Sequence, residues 1–411
     1  MTPDRPALVR RSKASWLAAA VLALGLGAAG AYYWGTHSRP APPAPEVSAP
    51  LPPPTASPFR NTRPDVAYVG DQACADCHPD QSKAYCQHPM GRSLFTAAGE
   101  PPLERYDAKA NNPFQAGRFR FQVLRDGPRL MHREWCEDGK GNVVARKEEE
   151  IAYVIGSGAQ ARTGVFRRDG LLFQSPISWY AEKAGWGLSP GYDENLPHFN
   201  RGIDARCLYC HCQESHPVPD SLNRYREPPF GQLAIGCERC HGPGAAHVAA
   251  RAAGPPREKV DDTVVNPRHL APALREAVCE QCHLQGETIV ARRGRSQADY
   301  RPGLPLHEYV TVFVRPPEVT DPGKIVSHVE QMRLSACFNK SGGRFGCTSC
   351  HDPHGVPPPD GKVAFYRSQC LNCHGPTPAA APGRRAEAPE CSLPRPERTA
   401  KDARDNCLAC H

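Results

Sequence analysis

The sequence predicts a loop-rich fold in which short helices surround repeated cysteine and histidine motifs, with a small antiparallel β insertion and one N-terminal transmembrane helix. Three observations predict it. The 411 residues include 45 prolines and 35 glycines against an apolar share of only 40%, which leaves too little for a large aliphatic core. Nineteen cysteines and 17 histidines are far more than a disordered chain carries. One uncharged run, Trp16 to Trp34, stands in a chain whose mean hydropathy of −0.55 excludes several membrane spans. The net charge of +7, from 50 basic and 43 acidic residues, is mild, and no nucleic-acid partner is expected.

The N-terminus comes first because it fixes the compartment. Residues 1–13 carry Arg5, Arg10, Arg11 and Lys13 against Asp4 and read as a cytoplasmic basic segment. Residues 14–35 read as a transmembrane signal anchor, since the uncharged run matches the roughly 20 residues of one span and Tyr32, Tyr33 and Trp34 sit where an interfacial aromatic belt belongs. The small residues Ala29-Gly30-Ala31 also resemble a cleavage site, and a cleaved signal would export the same chain untethered. Residues 36–60 are a Pro-rich linker with the extended character of polyproline. Residues 61–411 form the remaining domain.

That domain holds its chemistry in one repeated pentapeptide. Cys-x-x-Cys-His occurs at Cys74/Cys77/His78, Cys207/Cys210/His211, Cys237/Cys240/His241, Cys279/Cys282/His283, Cys347/Cys350/His351, Cys370/Cys373/His374 and Cys407/Cys410/His411. These seven copies, numbered one to seven below, carry the attachment signature of c-type haem. Two thiols three positions apart face the same side of a helical turn and can form thioethers to one porphyrin, while the next residue brings its imidazole under the iron as proximal ligand. Structural zinc closes in sets of four ligands, which an odd number of identical units does not supply, and a disulfide framework has no use for a histidine after every second cysteine.

Seven haems resolve the composition puzzle, because each flat apolar macrocycle replaces aliphatic side chains as core. The expected fold class is therefore a loop-rich multihaem cytochrome c with short helices around stacked haems.

Distal ligands are bounded by counting. Outside the motifs and His37, nine histidines remain: His88, His132, His198, His216, His247, His269, His307, His328 and His354. They are enough for histidine on both sides of every iron, whereas the exported part holds only Met90, Met131 and Met332. Two histidines give a lower potential than histidine with methionine. His216, His247 and His354 follow the nearest proximal histidine so closely that they reach a neighbouring haem more easily than their own. His132, in a charged strand-like setting, and His269 are the expected bystanders.

The motifs are arranged as one plus six, with 133 residues between the first two starts. Within that gap Arg118 to Leu124, Leu130 to Cys136, Asn142 to Ile155 and Leu171 to Ser178 are rich in aromatic and branched residues. Asp126-Gly127, Asp138-Gly139 and Asp169-Gly170 give hairpin signals between them. A small antiparallel sheet is expected at about 104–180. Pro272 opens a helix running into Cys279 to His283, and Thr399 is expected to cap another that ends at His411. Ile151 to Ala161 fits the glycine pattern of a dinucleotide-binding turn, but Gly164 and Asp169-Gly170 leave no room for its helix, so it reads as a turn.

The stretches YVGDQACADCHPDQ, YVIGSGAQARTGVF, PISWYAEKAGWGLSPGYD, HFNRGI followed by CLYCH, IGCERCHGPGAAH, VCEQCH, RLSACF and FGCTSCHDPHG resemble the bacterial multihaem cytochromes c with doubled Cys-x-x-Cys-His motifs. These are similar to the tetrahaem cytochrome of ammonia oxidation and sometimes carry tetratricopeptide repeats; no such repeat is visible here. The resemblance implies periplasmic electron transfer, and by position it favours His88, His198, His247, His328 and His354 as iron ligands alongside the seven motif histidines. Five cysteines stand outside the motifs, namely Cys86, Cys136, Cys212, Cys337 and Cys391, and their odd number leaves at least one thiol unpaired within the chain.

The sequence therefore leads to a heptahaem cytochrome on the periplasmic side of the bacterial inner membrane, anchored by the N-terminal helix or released if it is cleaved. Seven covalent haem c groups and their iron would relay electrons between redox partners, such as a quinol-oxidising membrane complex or other cytochromes. The alternative is an oxidoreductase with one open iron acting on a small nitrogen or sulfur compound.

Overall fold

The computed structural model describes residues 55–99, 103–193, 198–255, 259–316, 327–375, 391 and 393–410. The basic segment, the expected span at 14–35 and most of the Pro-rich linker lie outside the described residues, as does His411.

The largest element is a nine-stranded antiparallel sheet. Its strands are β1 (Leu94–Thr96), β2 (Phe114–Ala116), β3 (Phe119–Asp126), β4 (Arg129–Glu137), β5 (Val143–Ile155), β6 (Ala161–Arg168), β7 (Leu171–Tyr180), β8 (Gly185–Leu188) and β9 (Arg201–Gly202). They run in the order β2-β3-β4-β5-β6-β7-β8, with β1 added on β5 and β9 on β7. The 13-residue β5 joins the two ends of this path: residues from Val143 to Glu150 pair with β4, and from Ile151 onward the strand pairs with β6 and β1. Tight turns set the register. Asp169 and Gly170 between β6 and β7 both have positive φ, 53° and 75°, as a two-residue hairpin turn requires. Gly156, with φ of 102°, begins the turn between β5 and β6, and a Cβ there would collide with the Ala161 carbonyl. The glycine-rich stretch is thus a hairpin connection and opens no helix.

Strand alternation decides what the sheet buries. Along β4 the inward residues are Leu130, His132, Glu134 and Cys136. Phe114, Phe121, Val123, Ile151, Phe166, Ile177, Trp179, Trp186 and Phe199 close one core. His132 joins it because its Nδ1 meets the Ser175 hydroxyl at 2.7 Å and its ring packs edge-on against Trp186. A second core sets Leu94, Val165 and Leu172 of the sheet against Ile203, Leu208, Tyr225 and Phe230. Leu208 lies inside the second motif, so the sheet seats that motif directly.

The helices are short: α1 (Asp71–Ala75), α2 (Pro79–Tyr85), α3 (Ala205–Tyr209), α4 (Glu238–His241), α5 (Ala245–Ala252), α6 (Pro272–His283), α7 (His328–Leu334), α8 (Ala336–Lys340), α9 (Lys362–His374) and α10 (Arg395–Lys401). Pro272 stands at the first position of α6, where its missing N–H costs nothing. Ser327 caps α7 in a reciprocal box with Glu330, which fixes where His328 begins. Two hairpins complete the described fold, β10 (Glu214–Pro217) with β11 (Tyr225–Gln232), and β12 (Thr288–Ala291) with β13 (Val310–Phe313).

The expected fold class is corrected here. The β portion is no small insertion at 104–180 in a loop-rich array but the dominant sheet, reaching from Leu94 to Gly202. The reason is physical: the aromatic and branched residues of this stretch pack on one another into an ordinary core, where the composition had left core formation to haem. No helix among the described residues is long and apolar enough to cross a membrane. Thr399 lies inside α10, which stops at Lys401, and Cys407–Ala409 is a separate 3₁₀ turn.

Phe121 is 1% exposed at the centre of the first core. Phe121→Ala is expected to cost about 3–5 kcal/mol, read as a lower urea midpoint with an unchanged slope.

Candidate haem-binding sites

Each described motif sits where a helical turn begins or ends. In the first, third and fifth motifs the histidine N–H donates back to the carbonyl of the first cysteine, at 2.8 Å for His78, 3.1 Å for His241 and 3.1 Å for His351. One such turn brings the two cysteines to the same side and folds the histidine beneath them. His283 and His374 are the last residues of α6 and α9. The second motif starts where the Asp204 carboxylate accepts the Arg206 and Cys207 N–H groups at 2.9 and 3.1 Å, a side-chain N-cap.

Three motif histidines face a histidine from outside the motifs. His78 and His247 stand with ring centres 6.4 Å apart and planes 20° from parallel, His241 and His354 at 5.9 Å and 8°, and His283 and His328 at 5.5 Å and 15°. A metal–imidazole bond of about 2 Å, plus roughly 1.1 Å from nitrogen to ring centre, sets two axial rings about 6 Å apart. The observed separations fit an iron held between each pair. His247 and His354 each stand opposite a histidine of a different motif from the one they follow.

Hydrogen bonds orient these rings. His241 Nδ1 meets the Val265 carbonyl at 2.8 Å, and His247 Nδ1 meets Asp261 Oδ2 at 3.1 Å. Both contacts leave Nε2 for a metal, the usual arrangement around a ligating histidine. Partial desolvation lowers the imidazoles of His211, His241, His283 and His351 from the ordinary histidine value, which favours the neutral form that a ligand requires. Among the described residues no group of three or more His, Cys, Asp or Glu side chains is arranged to hold a metal ion alone. An axial pair asks the protein for only two ligands, the macrocycle supplying the others.

Thiols of different motifs meet in pairs. Cys74 and Cys237, Cys210 and Cys282, Cys279 and Cys347, and Cys370 and Cys407 are neighbours. The other six motif cysteines, Cys77, Cys207, Cys240, Cys350, Cys373 and Cys410, stand outside these pairs, although the sequence assigns them to haem attachment on the same footing. Cys77, Cys207, Cys373 and Cys410 are exposed. In the motifs of Cys77, Cys373 and Cys410 it is the first cysteine, Cys74, Cys370 or Cys407, that turns toward a neighbouring motif, whereas in the second motif it is Cys210. The attachment role of Cys77, Cys373 and Cys410 therefore rests on the motif alone, not on packing between motifs.

Polar brackets join the motifs further. Motifs one and three are linked by Asp71, whose Oδ1 accepts the Cys237 N–H at 2.8 Å, and by Glu238. The Glu238 carboxylate accepts the N–H groups of Val69, Gly70 and Gly244 at 2.9, 2.8 and 2.7 Å. Glu276 of α6 accepts the Cys347 N–H at 2.9 Å, tying motif four to motif five. The Tyr209 hydroxyl donates to Gln281 Oε1 at 2.7 Å, tying two to four, and Gln281 Nε2 donates to the Arg239 carbonyl at 3.1 Å, tying four to three. Asp405 is gripped by Arg367 of α9 at 2.6 Å and Arg398 of α10 at 2.7 Å, ahead of motif seven, and both guanidinium groups hold its carboxyl below the usual carboxylate range.

The other predicted ligands are placed differently. His88 stacks on Tyr85 at 5.9 Å, lies near His351, Asp352 and His354, and accepts the Met90 N–H on Nδ1 at 3.2 Å. His198 packs on Phe119 at 4.0 Å and meets Glu134 at 2.6 Å, on the sheet and, among the described residues, in ring contact with no motif histidine. Burial pushes the Glu134 carboxyl up to about 7 and the His198 imidazole down. His216 meets the Pro228 carbonyl at 2.8 Å on the β10–β11 hairpin. Cys86, Cys136, Cys212, Cys337 and Cys391 form no disulfide, and Cys136 and Cys212 are buried. The bracket residues escaped the reading of the sequence, although a signal existed: Asp71, Asp204 and Glu276 each stand three positions before the first cysteine of a motif.

No protein-family model matches the chain. A search of curated proteins finds no match either, so the resemblance to the ammonia-oxidation cytochromes rests on the quoted motifs. Among solved structures the chain is similar to the outer cell wall cytochrome OcwA, at 20% identity and a TM-score of 0.34, over 60% of this chain and 44% of that one. The matched part is thus less than half of that cytochrome.

Glu238→Ala strands the three N–H groups of Val69, Gly70 and Gly244. A loss of roughly 2–4 kcal/mol is expected, with a smaller loss for Glu238→Gln, which keeps one acceptor oxygen; urea denaturation of both variants checks it.

Proposed function

We propose that this protein is a multihaem c-type cytochrome that relays electrons between redox partners outside the cytoplasm. Haem c, when bound, supplies one-electron chemistry at iron. In this reading the cysteines of the seven motifs carry the thioethers, with Cys77, Cys373 and Cys410 holding the solvent-facing edges of their haems. His78, His211, His241, His283, His351, His374 and His411 are the proximal ligands. His247, His354 and His328 complete the sites of motifs one, three and four, while His88 and His198 remain candidates for others. The observation that carries the reading is the set of three near-parallel histidine pairs 5.5 to 6.4 Å apart, each joining a motif to a histidine outside it.

The chain's own residues would do two things. Val265 and Asp261 fix the tautomers of His241 and His247, and the brackets of Glu238, Glu276 and Gln281 hold neighbouring motifs in contact. Contact between motifs is what a relay requires. The redox partners in this reading are other cytochromes or a quinol-oxidising membrane complex, met in the periplasm or at the cell exterior.

The test is haem content and spin state of the purified holoprotein. Seven covalent haems per chain, low-spin and silent to carbon monoxide when reduced, are expected. A chain without covalent haem sinks the proposal, and a wild-type haem that binds the gas favours the oxidoreductase with an open iron. His328→Ala should create a single high-spin haem that binds carbon monoxide while the haem count stays unchanged. An unaltered spectrum would remove His328 from the ligand set.

A further inference from the structure

Arg239 belongs to the third motif, between Glu238 and Cys240, yet its side chain serves three motifs. Its guanidinium lies over the Tyr209 ring of the second motif, 4.3 Å from the centroid. Its Nη2 donates to the carbonyls of Cys212 and Gln213, at 3.0 and 2.8 Å, just beyond that motif. The charge also faces the thiols of Cys210 in motif two, Cys240 in its own motif and Cys282 in motif four. Gln281 locks the place by donating to the Arg239 carbonyl while accepting from Tyr209.

Among the described residues no carboxylate pairs with this guanidinium. Neighbouring Glu238 spends its oxygens on the backbone N–H groups of Val69, Gly70 and Gly244. The hydrogen-bond acceptors of Arg239 are neutral carbonyls, and its buried Nε has no partner at all. An arginine side chain stays charged at every accessible pH, and this one is half-buried, with its Nε sealed from solvent. A positive charge with no counter-charge among the described residues thus stands where motifs two, three and four meet.

We propose that Arg239 is a potential-setting residue, a fixed positive charge at the meeting of motifs two, three and four that favours the reduced form of iron there. The inference rests on the haem attachment proposed above. Reduction adds one electron from a redox partner and converts ferric to ferrous iron, lowering the local positive charge by one. A nearby cation therefore destabilises the oxidised state more than the reduced one. Electrons arriving along any of the three motifs would then collect at this junction.

The experiment is an anaerobic redox titration, followed by absorbance, of wild-type, Arg239→Gln and Arg239→Lys holoproteins whose haem content per chain is counted first. The expected result for Arg239→Gln is that at least one haem becomes about tenfold harder to reduce, a shift of about 59 mV for one electron. Arg239→Lys, which keeps the charge and loses the two-carbonyl clasp, should titrate close to wild type. Should Arg239→Gln fail to mature, Arg239→Met keeps the straight stem over Tyr209 without the charge and should shift the same way. A neutral variant that titrates as wild type overturns the assignment, as does a lysine variant that shifts as far as the neutral one, which would show a structural role. A wild-type chain without haem defeats the electron-transfer reading itself and is recognised at the counting step.

Discussion

A flat, apolar, metal-bearing group held at its edge by two thioethers and from one side by one imidazole is only half fixed. A second imidazole would have to arrive from a distant part of the chain, and for three of the motifs such a histidine stands opposite the motif's own. His247 reaches His78, His354 reaches His241 and His328 reaches His283. In the first two cases the incoming histidine follows a different motif by only a few residues, so holding one site positions the next. Orienting one ring through its Nδ1, as Asp261 does for His247, therefore constrains more than one motif. The acidic brackets serve the same end: Asp71, Glu238 and Glu276 spend carboxylate oxygens on N–H groups of, or next to, other motifs. Those groups would otherwise be buried without acceptors.

The sheet solves a different problem. The nine strands supply the largest apolar core, beside two smaller clusters around α6, one with Ala277, Tyr300 and Tyr309 and one with Phe59, Val265 and Val278. Its second apolar cluster takes in Leu208, so the motif after the long gap is seated on a rigid support. From there the chain of contacts passes through Tyr209 and Gln281 to α6, then through Glu276 to motif five. Polar groups buried on the sheet, His132 and Glu134 among them, are consequences of strand alternation: every second residue of β4 faces inward whatever its chemistry.

The motifs, the hairpin turns at Asp126-Gly127 and Asp169-Gly170, and the helix from Pro272 to His283 were legible because each is a local signal. The expectation that a histidine just after one motif reaches another matches the ring positions of His247 and His354, whereas His216 sits on the β10–β11 hairpin. The extent of the sheet was not legible, because β1 and β9 are only three and two residues long and exist through pairing with distant strands. Counting haems as core also hid it, since that argument made a conventional core unnecessary where one exists. The bracket at Arg239, Tyr209 and Gln281 was equally invisible, because three residues from three motifs carry no shared sequence pattern until the fold brings them together. The pentapeptide also makes all seven copies look alike, and so it hides that Cys77, Cys373 and Cys410 stand in solvent while their partner cysteines face another motif. His198 shows the reverse: its position within a familiar stretch marks a ligand, while the structure sets it on the sheet beside Glu134.

The most direct test of the central claim is a high-resolution experimental structure of the haem-loaded protein, read for which histidines flank each iron. This account predicts one iron between His78 and His247, one between His241 and His354 and one between His283 and His328. An iron of motif one, three or four flanked by any other pair would contradict it.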